Sequence, residues 1–197
     1  MLRVAVLVSG GGTNLQALLD AKAAGHIPHG EIALVIASRP DAYALTRAQK
    51  AGVPTEVLRR KDFPCAEEFD AALLAALRRH DIDVVVLAGF LSILGKSVID
   101  AYPDRILNIH PSLIPSFCGE GFYGLKVHEA ALEKGVKVTG ATVHLVNEVT
   151  DGGRILLQKA VDVLPNDTPE TLQRRVMEQA EWKLLPEALE LLCSGSI

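Results

Sequence analysis

Five short runs of aliphatic and β-branched residues, near 2–8, 32–37, 54–58, 83–88 and 105–109, alternate with longer stretches of helical period near 14–25, 41–51, 66–80 and 124–134. A strand covered on both faces reads as a continuous apolar run, and successive parallel strands need a crossover that a helix can supply. The alternation predicts repeated βαβ units, an α/β fold with a mostly parallel central sheet flanked by helices. Two more strands are expected near 138–147 and 154–163, joined by a turn that carries Asp151, and a last helix near 168–192. No internal repeat, low-complexity tract or linker breaks the pattern, so residues 1–197 are expected to form a single domain.

In an open α/β sheet, ligands bind outside the carboxyl ends of the strands. Three such ends carry the informative residues: Ser9 to Thr13, Gly89 to Leu94, and Asn108 to Pro111. The first is Ser9-Gly10-Gly11-Gly12-Thr13-Asn14, running directly into Leu15-Gln16-Ala17-Leu18-Leu19. Consecutive glycines let backbone amides approach an anion, and a helix N-terminus adds free N–H groups and a favourable dipole. The loop reads equally as a single-phosphate site or as a tight strand-to-helix turn with Thr13 or Asn14 as N-cap. A dinucleotide fingerprint would need a third glycine where Leu15 stands and an acid where Ala37-Ser38-Arg39 ends the second strand. A triphosphate loop would need Gly-Lys-Ser/Thr, and the first lysine is Lys22.

The third end, Asn108-Ile109-His110-Pro111-Ser112, is followed about forty residues later by Asp151-Gly152-Gly153. An amide, an imidazole and a carboxylate are the groups that hold an oxyanion, move a proton and orient the group that moves it, which points to acyl-type transfer. The same residues also suit turns and caps without any chemistry. Between them, Val84 to Leu94 stays apolar beyond what a strand needs. Either it runs into a core helix, or its continuation from Phe90 lines an apolar slot for a flat heterocycle.

Composition excludes several classes. A formal net charge of −4 leaves no excess of cations for coating nucleic-acid phosphates, so any phosphate bound is expected on a small molecule. Cys65, Cys118 and Cys193 are odd in number and widely spaced, which suits neither a disulfide framework nor a zinc site and points to a reducing cytoplasm. The apolar run Val4–Val8 is too short for a signal peptide, and Val84–Leu91 is far below a membrane span.

Taken together, Ser9-Gly-Gly-Gly-Thr-Asn-Leu-Gln16, Ala88-Gly-Phe-Leu-Ser-Ile-Leu94, Asn108-Ile-His-Pro-Ser-Leu-Ile-Pro115 and Asp151-Gly-Gly153 resemble, in this order, the phosphoribosylglycinamide formyltransferase family. The resemblance covers essentially the whole chain. It implies a Rossmann-like formyltransferase fold and transfer of a formyl group from 10-formyltetrahydrofolate, as cosubstrate, to the amine of a glycinamide ribonucleotide in purine synthesis, without a metal. It places the ribonucleotide phosphate on the amides of Gly12, Thr13 and Asn14 and its ribose on Glu181. The backbone of Leu91, Ser92, Ile93 and Leu94 would contact the pterin, with Phe90, Ile93 and Val146 as apolar walls. Asn108 and His110 would meet the formyl oxygen, and Asp151 would support a protonated His110 by its negative charge. His144 falls on a family position behind these residues, and reads equally as an ordinary half-buried strand residue.

His26, His29, His80 and His128 are expected at the surface or in loops, and Phe117 to Gly124 is expected to form a mobile flap over substrate. The chain departs from the family around Cys65-Ala66-Glu67-Glu68, where many members carry an arginine, and around Trp182-Lys183-Leu184-Leu185-Pro186 after Glu181. Three other readings are a formyltetrahydrofolate deformylase on the same scaffold, a methionyl-tRNA formyltransferase, which would need a further tRNA-binding domain, and a non-catalytic binder of phosphorylated metabolites. Small molecules are the expected partners in the favoured reading, with no nucleic acid and no membrane.

Overall fold

Strand β1 (Leu2–Val8) lies at the centre of the sheet, and its alternation divides the core in two. Val4, Val6 and Val8 join one cluster, with residues of the helices formed near the N- and C-terminal ends of the chain. Ala5 and Leu7 join the other, beneath Leu73, Leu74 and Leu77. Successive side chains of a strand point to opposite faces, so a run apolar at every position is buried on both sides. The computed structural model describes residues 1–197.

Six further strands complete the sheet: β2 (Gly30–Ala37), β3 (Thr55–Val57), β4 (Val84–Leu87), β5 (Ile106–His110), β6 (Val138–Leu145) and β7 (Ile155–Asp162). Their order is β3-β2-β1-β4-β5-β6-β7. The pairs from β3 to β5 are parallel, and β6 and β7 add on antiparallel. The helices are α1 (Thr13–Ala23), α2 (Tyr43–Lys50), α3 (Ala66–Arg79), α4 (Lys96–Ala101), α5 (Leu125–Lys134), α6 (Pro169–Val176) and α7 (Trp182–Ser194). None is long and apolar enough to cross a membrane. The strand order turns outward on either side of β1 and β4, which opens the crevice where a fold of this type takes ligands.

Two elements differ from the sequence expectation. The apolar run after Val84 is a strand only to Leu87. Gly89 then takes a left-handed conformation (φ 73°), and an irregular segment leads to the short helix α4 after Gly95. The last helix is interrupted: α6, opened by a capping box between Thr168 and Thr171, passes through a π turn at Met177–Glu181 before α7 begins. A π turn holds one residue more than an α turn, and here neighbouring Ala180 and Glu181 are both buried.

Candidate active site

β5 places Asn108 and His110 two residues apart, on the opposite face from Leu107 and Ile109, which enter the core. On β6, His144 lies directly across from Asn108 in the register. The Asn108 amide Nδ2 sits 3.1 Å from His144 Nε2 and 3.4 Å from Asp151 Oδ1. The Leu145 carbonyl accepts a hydrogen bond from His144 Nδ1 at 2.8 Å, which fixes that ring. His144 is buried and in contact with both Asn108 and Asp151, so it is part of the cluster and not an ordinary half-buried strand residue.

Asp151 arrives on the turn after β6, in a left-handed conformation (φ 54°). The glycines behind it are required by close approach. A Cβ on Gly153 would lie 1.7 Å from the Leu145 carbonyl oxygen, and one on Gly152 would lie 2.6 Å from Val149. The carboxylate is 3.6 Å from His110 Nδ1 and 3.5 Å from His144 Nε2, and it accepts the Gly119 N–H at 2.8 Å. Burial alone would raise its pKa. The His144 and Gly119 contacts and the nearby His110 outweigh burial and hold it below the usual carboxylate range, so it is negatively charged at neutral pH.

The segment expected to act as a flap is fastened to this cluster by two backbone groups, the Phe117 carbonyl and the Gly119 N–H. His110 Nε2 donates to the Phe117 carbonyl at 2.8 Å, and Phe117 itself is left-handed (φ 50°). Neither this contact nor the Gly119 bond had a sequence signal, because both use backbone groups. The thiol of Cys118 in the same turn is pushed up by burial and by Asp151, which disfavours the thiolate that covalent acyl transfer would need. His128 corrects the expectation of a surface residue. It is fully buried in α5 with neither ring nitrogen hydrogen-bonded, and burial, with His110 adding repulsion, pushes its pKa down to about 4.

The glycine loop is built to leave amides free. Gly12 (φ 72°) is the N-cap of α1, so neither Thr13 nor Asn14 caps the helix. The Gly10 carbonyl accepts from the Ala44 N–H at 3.2 Å and the Gly12 carbonyl from the Gln16 N–H at 2.9 Å, while no N–H from Gly10 to Asn14 bonds within the protein. Unpaired N–H groups at a helix N-terminus suit an anion. Asn14 instead donates through Nδ2 to Glu181 at 2.7 Å, leaving its own Oδ1 buried and unpaired. Burial raises the Glu181 pKa to about 7, against the smaller opposing effect of the Asn14 bond. The π turn is what brings Glu181 to this place, and no 3.6-residue pattern announces it.

Along the third side of the crevice, the N–H and carbonyl groups of Ser92, Ile93 and Leu94 make no hydrogen bond within the protein. The Leu91 N–H is already committed to Ser9 Oγ at 2.9 Å, which narrows the backbone edge open to a ligand to Ser92–Leu94 plus the Leu91 carbonyl. The side chains of Leu91 and Ile93 are 61% and 81% exposed, whereas Leu94 is buried and Phe90 and Val146 pack partly buried against the second core cluster. Buried Asp70, not singled out from the sequence, fastens the end of this segment through the Gly95 N–H at 3.2 Å and the Ser97 hydroxyl at 3.3 Å. Two adjoining clefts of about 450 Å³ each, beside α1 and α7, share Ala21, His26 and Trp182. Among the residues placed in the crevice, only Thr13 lines them, so they are separate from the cluster around Asn108.

Residues 2–189 match the family described as formyl transferase. The chain is 45% identical over 195 residues to the human trifunctional purine biosynthetic protein adenosine-3, covering 99% of this chain and 19% of that one. It is 41% identical to phosphoribosylglycinamide formyltransferase of Haemophilus influenzae, covering 100% of this chain and 90% of that one. Among solved structures, glycinamide ribonucleotide transformylase 1 from Symbiobacterium toebii superposes with a TM-score of 0.93 at 47% identity, covering 99% of this chain and 89% of that one. The chain thus spans 14% to 19% of the length of the trifunctional relatives it matches, and 66% of a chloroplastic relative from Arabidopsis thaliana. A match that runs from β1 into α7 carries the glycine loop, the Asn108–His110 strand and the Asp151 turn together, and the chain belongs to the formyl transferase family.

Proposed function

We propose that the protein transfers the formyl group of 10-formyltetrahydrofolate to the amine of 5'-phosphoribosylglycinamide, giving 5'-phosphoribosyl-N-formylglycinamide and tetrahydrofolate in de novo purine (IMP) biosynthesis. The observation that carries this reading is the meeting, in one crevice, of a loop with unspent N–H groups, an Asn108–His110–Asp151 cluster and a free backbone edge at Ser92–Leu94. Relatives named for this reaction support it.

In this account the ribonucleotide phosphate lies on the amides of Gly12, Thr13 and Asn14. Glu181, with the unpaired Oδ1 of Asn14, accepts from the sugar hydroxyls. The pterin hydrogen-bonds to the Ser92–Leu94 edge, with Phe90, Ile93 and Val146 as apolar neighbours. The glycinamide amine attacks the formyl carbon, and the tetrahedral centre carries an oxyanion and an ammonium. Asn108 Nδ2 donates to the oxyanion, as does a protonated His110 when its Nε2–H is released from the Phe117 carbonyl, while Asp151 faces the imidazolium Nδ1 at 3.6 Å. A water held by Asp151 carries a proton from the ammonium to N10 of the folate. The bond from carbon to N10 breaks, and the formyl carbonyl re-forms. No step calls for a metal.

Small molecules are the only partners this reading needs. A cytoplasmic setting and a single formyltransferase domain over residues 1–197 belong to the same proposal. Mass spectrometry of a reaction run with carbon-13 formyl donor tests it: the label should appear on the ribonucleotide amine. Label recovered only as free formate would replace the transferase with a deformylase.

A further inference from the structure

All three glycine carbonyls of the phosphate loop are tied from behind. Backbone N–H groups hold those of Gly10 and Gly12, while the Gly11 carbonyl accepts from a side chain, Arg47 Nε, at 2.8 Å. A carbonyl and the N–H that follows it point in opposite directions across a trans peptide. A bond that draws the Gly11 carbonyl toward α2 therefore turns the Gly12 N–H toward the crevice. Arg47 is itself fixed: a second guanidinium nitrogen donates to Gln16 Oε1 at 3.0 Å, Gln16 Nε2 donates to Asp20 at 2.8 Å, and the guanidinium lies 5.0 Å from the Tyr43 ring centroid.

The contact between α2 and the loop is also close. A Cβ on Gly12 would fall 2.6 Å from the Ala44 Cβ, so the first turn of α2 sits directly against the loop. We propose that Arg47 is a positioning residue for the ribonucleotide phosphate: it sets the Gly11–Gly12 peptide so that the loop amides converge on the anion. The inference rests on the loop being the phosphate site of the proposed reaction. A planar guanidinium reaches the Gly11 carbonyl and Gln16 together, whereas a lysine keeps the charge but offers one point of contact.

The test titrates wild type, Arg47→Lys and Arg47→Met with inorganic phosphate, with the ribonucleotide and with 10-formyltetrahydrofolate, and measures steady-state kinetics. Both variants should weaken phosphate and ribonucleotide by about tenfold or more, the usual worth of a charge-assisted hydrogen bond. The KM for ribonucleotide should rise in proportion while kcat holds, since an interaction equal in ground and transition states is lost. Unchanged folate binding shows that the variants are folded. Wild-type affinity in Arg47→Lys with loss in Arg47→Met would overturn the inference in favour of bare charge, and equal loss of folate would reduce Arg47 to a structural role. Unchanged phosphate affinity in both variants would also overturn it. If wild type bound phosphate but did not formylate the ribonucleotide, the proposed function would fail while the phosphate titrations still decided the role of Arg47.

Discussion

In the proposed reaction Asn108 donates to charge that exists only once the formyl carbon is tetrahedral, and an interaction confined to the transition state appears in kcat. Asn108→Ala should therefore lower kcat by about a hundred- to a thousandfold, with little change in ribonucleotide affinity. His110→Ala should lose most turnover while retaining fold and ribonucleotide binding, because the ring acts on the same charge. A well-folded His110→Ala enzyme with normal kcat, or an Asn108→Ala effect confined to KM, would remove these roles. These residues were legible because an amide, an imidazole and a carboxylate cluster in short local motifs. His128 was not: a histidine on an amphipathic helix reads as polar and exposed, yet it lies on the buried stripe with Val127 and Ala131.

Two buried groups give the protein opposed pH responses. Glu181 titrates at about 7 in the folded state, above its ordinary 4.5, so the folded chain holds this proton more tightly and stability falls as pH rises from about 4.5 to 7. His128 titrates at about 4, below its ordinary 6.5, so stability falls as pH drops from 6.5 toward 4. Asp151 acts outside both windows, since its lowered pKa withdraws stability only below about 3.8. Thermal midpoints across pH 4 to 7.5 should show a shallower acid-side loss for His128→Met and a steeper one for Glu181→Gln. Superimposable profiles of wild type and His128→Met would assign the acid limb to other groups.

At the scale of elements, the strands and helices that carry strong periodicity stand close to where the sequence puts them, and the misses have physical causes. The short helix α4 is masked by the apolar run before it. The π turn changes phase inside what reads as one helix, and with it the position of Glu181. The glycine loop reads from the sequence as either an anion site or a tight turn, but its packing is not legible there, because Ala44 on α2 carries no sign that it abuts Gly12. Gly12→Ala should therefore affect more than phosphate approach. The left-handed backbone and the collision with Ala44 should cost about 1–3 kcal/mol of stability, read from chemical denaturation, together with weaker ribonucleotide binding. Gly11→Ala, whose Cβ would meet open space, should leave stability near wild type. Equal stability of the two variants would mean that the loop yields more readily than its packing implies.

At the scale of the whole molecule, the sheet order brings the ends of β1, β4 and β5 to one crevice, and the antiparallel β6 and its following turn supply His144 and Asp151 from the far side. Strand ends far apart in the chain thus become one site, with the glycine loop after β1 and the Ser92–Leu94 edge after β4 joined by the Leu91–Ser9 bond. In the proposed reaction formyl loss depends on the second substrate, since the attacking amine would be delivered by a ribonucleotide anchored through its phosphate and the cluster would complete its work only on the tetrahedral centre. The most direct test is the initial rate of tetrahydrofolate release from 10-formyltetrahydrofolate, followed by absorbance with and without 5'-phosphoribosylglycinamide. The account predicts rapid release that saturates with ribonucleotide and falls to background without it; the same rate in its absence would contradict it.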